Sequence, residues 1–112
     1  MKLPKLLTTT LESRRVYPLA LTVNGKKLES LVIDPHFEKN HPYMSDEKIW
    51  EMVKFLNNKK FIPTKYKEKW EIFETDILYS SKNYRLVWCL EVGKSYLGII
   101  HCYRKSKYDQ SK

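Results

Sequence analysis

Val16-Tyr-Pro-Leu-Ala-Leu-Thr-Val23, Asn24-Gly25, Lys26-Lys-Leu-Glu-Ser-Leu-Val-Ile33 reads as two extended runs joined by the strongest short-range hairpin signal. Asn and Gly both accept the positive φ that a two-residue type I′ turn requires, and that turn matches the twist of the strands it joins. Pro18 has no amide hydrogen to give to a neighbour, so the first strand belongs at a sheet edge.

Downstream come three more extended runs: Trp70-Glu-Ile-Phe-Glu-Thr-Asp-Ile-Leu-Tyr79, Tyr84-Arg-Leu-Val-Trp-Cys-Leu-Glu91 and Tyr96-Leu-Gly-Ile-Ile-His-Cys-Tyr103. Short polar turns separate them, so antiparallel pairing of sequence neighbours is the economical arrangement. The last two runs are apolar on both faces, as strands at the centre of a sheet are. A turn at Gly93-Lys94 sets Cys89 opposite Gly98 and Cys102 opposite Arg85. That register holds the two sulfurs too far apart to bridge, so both read as buried thiols.

Between hairpin and triplet lies the helix signal. Ser45 caps the first turn, Asp46 and Glu47 complement the positive end of the helix dipole, and Met44 staples against Ile49. Ile49, Met52, Val53 and Leu56 recur at helical spacing, and Asn57-Asn58 with the approach to Pro63 ends the element. Residues 1–15 read as an arm or a short helix through Leu11 to Arg15, and 105–112 as a flexible polar tail. The expectation is a single α+β domain over 1–112, a helix packed on an antiparallel sheet in the order ββαβββ.

The 112 residues carry 21 Lys and Arg against 13 Asp and Glu, a formal charge of +8, which attracts phosphate. The basic start Met1 to Thr10 has an apolar run too short for a signal peptide, broken by Pro4, and no segment is long enough to span a bilayer. A cytoplasmic protein without a membrane partner is expected, although a toxin module cut from a larger exported protein would look the same.

Chemistry concentrates in Asp34-Pro-His-Phe-Glu-Lys-Asn-His-Pro-Tyr43, which holds two of the chain's three histidines. Pro35 and Pro42 keep this stretch irregular, so His36 and His41 sit where both side chains can converge on a substrate, with Lys39 as a phosphate clamp. The bland reading makes them ordinary loop residues. Strict alternation puts His101 on the core face with Leu97 and Ile99 unless the strand bulges first, and leaves Arg104 at a strand end as the cation best able to reach a site. His36, His41, Asp34 and Glu38 match no standard metal-ligand spacing and no Cys-x-x-Cys exists, so neither metal nor cofactor is expected.

His36-Phe-Glu-Lys39-Asn-His41 before a helix, Tyr84-Arg-Leu-Val-Trp88, and Gly98-Ile-Ile-His-Cys-Tyr-Arg104 at the end resemble small nucleases of the barnase, EndoU, colicin and RelE type, over residues 30 to 105. The resemblance implies a curved antiparallel sheet with an N-terminal helical part, and metal-independent endoribonuclease activity of the kind found in phage-borne or toxin-antitoxin modules. It assigns His36 and Lys39 to the site, His41 as a second histidine, Arg104 as the terminal-strand cation, and Tyr43, Tyr79, Ser81 or Tyr103 as the hydroxyl partner. The implied partners are RNA, with tRNA among the candidates, and an antitoxin or immunity protein. The competing expectation is a non-catalytic basic module that holds nucleic acid or an acidic protein through Lys59-Lys60 and the connector Lys65 to Lys69.

Overall fold

The computed structural model describes residues 3–35 and 44–105. Its strands are β1 (Thr8–Thr9), β2 (Arg15–Val23), β3 (Lys26–Ile33), β4 (Lys65–Lys67), β5 (Trp70–Tyr79), β6 (Lys82–Glu91) and β7 (Tyr96–Arg104). One helix, α1 (Asp46–Val53), runs on into a 3-10 turn at Lys54–Leu56. All seven strands join one sheet in the order β1-β2-β3-β7-β6-β5-β4.

This overturns the α+β, ββαβββ expectation. The protein is mostly β, with one short helix against a seven-stranded mixed sheet. Two strands were missed because β1 and β4 have only two and three residues, too few for alternation to register. The assumption of all-antiparallel pairing fails at the sheet's centre, where β3 and β7 run parallel, Leu31 beside Leu97 and Ile33 beside Ile99. Nor does a helix form through Leu11 to Arg15. There the chain turns between β1 and β2, Thr10 N–H donating to the Arg14 carbonyl at 2.8 Å.

Strand β2 is an edge where Pro18 sits, because β1 pairs only with Arg15 and Val16. Asn24 and Gly25 make the β2–β3 turn with φ of 53° and 75°. The Asn24 side chain also fixes the chain beyond α1: its Oδ1 accepts from Phe61 N–H at 2.6 Å and its Nδ2 donates to the Phe61 carbonyl at 3.1 Å.

Ser45 caps α1 as its type suggests, its Oγ accepting from Lys48 N–H at 3.2 Å. Ile49, Met52, Val53 and Leu56 are all buried against one face of the sheet, among Leu31, Ile33, Leu86, Trp88, Leu97 and Ile99. Each such side chain contributes about 1.5–3 kcal/mol of transfer free energy. Trp88 lies at the centre of this face, its ring stacked on Phe73 with centroids 4.1 Å apart and met edge-on by Phe61 at 5.4 Å. Its indole N–H donates to Thr75 Oγ1 at 3.1 Å, so no polar atom is stranded.

The helix's first turn is tied to β2. Asp46 accepts two hydrogen bonds from the Arg15 guanidinium, at 2.6 and 2.8 Å, and a third from the Tyr17 hydroxyl. Among the described residues no helix is long and apolar enough to cross a membrane.

Candidate functional site

With α1 covering one face, the described residues leave the opposite face of the sheet open. The strand registers lay one row of residues straight across it: Thr8, Val16, Val32, Gly98, Cys89, Ile72 and Lys65, each paired with the next. At strand spacing, the steps from Val16 to Lys65 cover roughly 24 Å. The middle of the row is a groove of about 600 Å³, whose floor is Val32, Gly98, Cys89 and Ile72. Residues from both sheet edges line it, Thr10 and Arg14 on the β1–β2 side and Lys65 and Lys67 on β4, so the sheet curls toward this face.

Gly98 lets the floor pack closely. A Cβ there would stand 2.9 Å from Cys89 Sγ and 3.4 Å from the Tyr96 ring, so any side chain has to displace a neighbour. One wall carries Trp70 and Tyr96, held by a chain of hydrogen bonds. Trp70 Nε1 donates to Tyr96 Oη at 2.9 Å, and Tyr96 donates to Glu91 Oε1 at 2.6 Å. Glu91 is buried yet ionised: the Tyr96 hydrogen bond is the main influence holding its carboxyl below the usual carboxylate range, helped by Lys69, whose Nζ lies 3.3 Å away. Tyr96 is in turn pushed up to about 12, by burial and then by Glu91. Burial likewise raises Cys89 to about 11, so the floor presents a neutral thiol.

Opposite that wall the strand breaks step. Val87 pairs with His101 while Trp88 pairs with Ile99, which leaves Ile100 as the extra residue of a β-bulge. The bulge corrects the face assignment drawn from alternation. Ile99 stays on the core face, whereas His101 turns to the open face with Tyr103, the two rings 5.3 Å apart at 69°. It also shifts Cys102 opposite Leu86 instead of Arg85, while Cys89 opposite Gly98 is as expected and both thiols are free. Beyond His101 the open face carries an ionic cluster, Asp76 accepting from Arg85 at 2.9 and 3.3 Å and from Lys105 at 3.0 Å. The Arg85 bonds are the chief reason that the Asp76 carboxyl is held low. Lys105, assigned by sequence to a flexible tail, is pinned here and by its backbone N–H to the Asn83 carbonyl at 2.8 Å.

His36, Lys39, His41 and Tyr43 lie outside the described residues. Of the other expected site residues, Arg104 ends β7 exposed, opposite Tyr84 and so on the core-facing side. Tyr79 is on that side too, its hydroxyl donating to Glu51, while Tyr103 is on the open face. Ser81 is exposed in the tight β5–β6 turn. Because β5 and β7 run in one direction, Tyr79, Ser81, Tyr103 and Arg104 lie at one end of the sheet, divided between its faces, whereas β3 ends earlier, Ile33 beside Ile99, so that the chain leaves at Asp34 partway along β7.

Sequence reasoning missed Arg14, Trp70 and Tyr96 as groove residues, and it named Lys65 and Lys67 as binding residues of a connector where the structure has a strand. Two signals were present: the alternation Lys65-Tyr66-Lys67, and a lone glycine inside an apolar strand, which marks a close approach or a bulge. Among the described residues no group of three His, Cys, Asp or Glu is placed to hold a metal ion. Comparison with protein-family models, with curated proteins and with solved structures finds no match.

Proposed function

We propose that the protein is a metal-independent endoribonuclease of the toxin or phage-module type, acting on the open face of the sheet where β3 ends beside the middle of β7. The observation that carries this reading is the bulge at Ile100. It turns His101 and Tyr103 onto the open face, His101 two residues beyond Ile99, beside which β3 ends and the chain departs toward His36, Lys39 and His41. Cleavage then needs only side-chain chemistry. A histidine takes the 2′-hydroxyl proton, the 2′-oxygen attacks phosphorus, and the bond to the 5′-oxygen breaks as a second group donates a proton to it, leaving a 2′,3′-cyclic phosphate. His36, His41 and now His101 are the candidates for base and acid, and Lys39 stabilises the charge that builds on phosphorus, whereas Arg104 ends β7 on the other side of the sheet from His101.

Purified protein incubated in EDTA with total RNA and with tRNA yields discrete fragments ending in cyclic phosphate, and His36→Ala, His41→Ala and His101→Ala identify which histidines carry the reaction. Intact RNA at high protein concentration overturns the reading. A second reading, an RNA-binding module without catalysis, is favoured by the cations Lys65 and Lys67 on one rim of the groove. Its signature is RNA held uncut, with affinity falling steeply as salt rises.

A further inference from the structure

We infer that the depression over Gly98 seats one unstacked base of a single-stranded RNA, with the neighbouring phosphates reaching Lys65 and Lys67 on one rim. The inference rests on RNA being the ligand and stands whether or not the RNA is cut. Three observations carry it.

The first is shape. Above the floor where Cys89 Sγ and the Tyr96 ring close over Gly98, the groove is a hollow bordered by Tyr96 and Trp70 on one wall and Ile100 on the other. A base stacked inside a duplex cannot enter such a hollow, whereas a splayed base of a single strand can. The second is chemistry. Val32, Ile72, Val87, Cys89 and Ile100 give an apolar bed, suited to the face of a base and unsuited to a phosphate. The two ring-bearing residues of the wall are fixed in advance through Trp70 to Tyr96 to Glu91, so little order is lost on binding. The third is charge. Lys65 and Lys67 stand at one end of the groove and Arg14 at the other, where Asp34 and Glu12 lie 3.5 and 3.7 Å from its guanidinium; with Glu74 also in the lining, the Lys65 and Lys67 rim is the more strongly cationic one and the first to meet a phosphate. An acidic peptide with an aliphatic anchor satisfies the charges but makes less use of the Trp70 and Tyr96 rings.

The test uses a short 2′-O-methyl RNA strand, which lacks the attacking hydroxyl and so reports binding without cleavage. Fluorescence anisotropy at low salt compares this strand, its duplex, and a version with abasic positions. The single strand binds best, and loss of bases weakens it by roughly tenfold. Ile100→Asp, at an exposed position, places a charge in the hollow and weakens the single strand to a similar degree with the salt dependence unchanged. Ile100→Trp fills the hollow without charge and gives the same loss should the first variant not fold. Lys65→Gln with Lys67→Gln instead lowers the salt slope, by about 1 for each phosphate no longer neutralised. Equal binding of strand and duplex, or no effect of either Ile100 variant, overturns the base site while leaving RNA binding in place. Failure to hold any RNA, together with capture of a Glu-rich peptide, overturns both.

Discussion

Ser80 and Ser81 hold φ of 50° and 64°, side by side in the two-residue turn between Tyr79 and Lys82. A β-hairpin of this length needs both residues in the left-handed region, where a side chain with a Cβ costs roughly 1–2 kcal/mol and Asn-Gly costs least. The double substitution Ser80→Asn, Ser81→Gly therefore stabilises the fold by about 1–2 kcal/mol, read as a higher midpoint in urea with an unchanged slope. A neutral or lower midpoint would mean that one of the hydroxyls makes a contact worth more than the backbone strain. The same comparison explains what could be read from sequence at this scale. Asn24-Gly25 announced its turn because its residue types are the ones the geometry selects, whereas Ser-Ser carries no such mark. Gly98 was visible as an oddity in an apolar strand, but only the register that sets Cys89 opposite it shows that a closely packed groove floor results.

At the scale of elements, α1 was legible because capping and helical period are local properties, settled within a dozen residues. What fixes its position is not local. Asp46 has to meet Arg15 and Tyr17, about thirty residues earlier and on another element. Asp46→Ala removes three hydrogen bonds at once from a half-buried guanidinium and a buried hydroxyl, and is expected to cost roughly 2–4 kcal/mol in chemical denaturation. Tyr17→Phe removes a single hydrogen bond and costs about 1 kcal/mol. If Asp46→Ala loses no more than Tyr17→Phe, the Arg15 pair contributes nothing and the helix is held by its apolar face alone. The bulge at Ile100 and the parallel pairing of β3 with β7 escaped the sequence for a related reason. Alternation is blind to an inserted residue when both faces are apolar, and a pairing between segments more than sixty residues apart is decided by how the whole sheet closes.

At the scale of the molecule, three tyrosines among the described residues, on different elements, share one device, a hydroxyl donating to a carboxylate: Tyr17 to Asp46, Tyr79 to Glu51 and Tyr96 to Glu91. Each is pushed up to about 12, Tyr17 and Tyr96 first by burial and Tyr79 first by its bond to Glu51. An unfolded tyrosine ionises at about 10, so each folded value lies above its unfolded one. The stability they contribute is complete below about pH 10 and is lost as pH climbs through the folded value near 12. On the acid side the sign reverses. Glu51, Glu91 and Asp76 are held below the ordinary carboxylate range, so their contribution is present above about pH 4 and fades as pH falls through their folded values. Urea midpoints measured from neutral pH upward should stay level and then fall between about 10 and 12, in step with a late rise of tyrosinate absorbance. Tyr96→Phe should lower the neutral midpoint and flatten that fall, since one of the three linked protons is gone. A fall as steep as that of the unsubstituted protein would place the alkaline transition elsewhere, and would remove the argument that the Tyr96 wall of the groove is held rigid by its bond to Glu91.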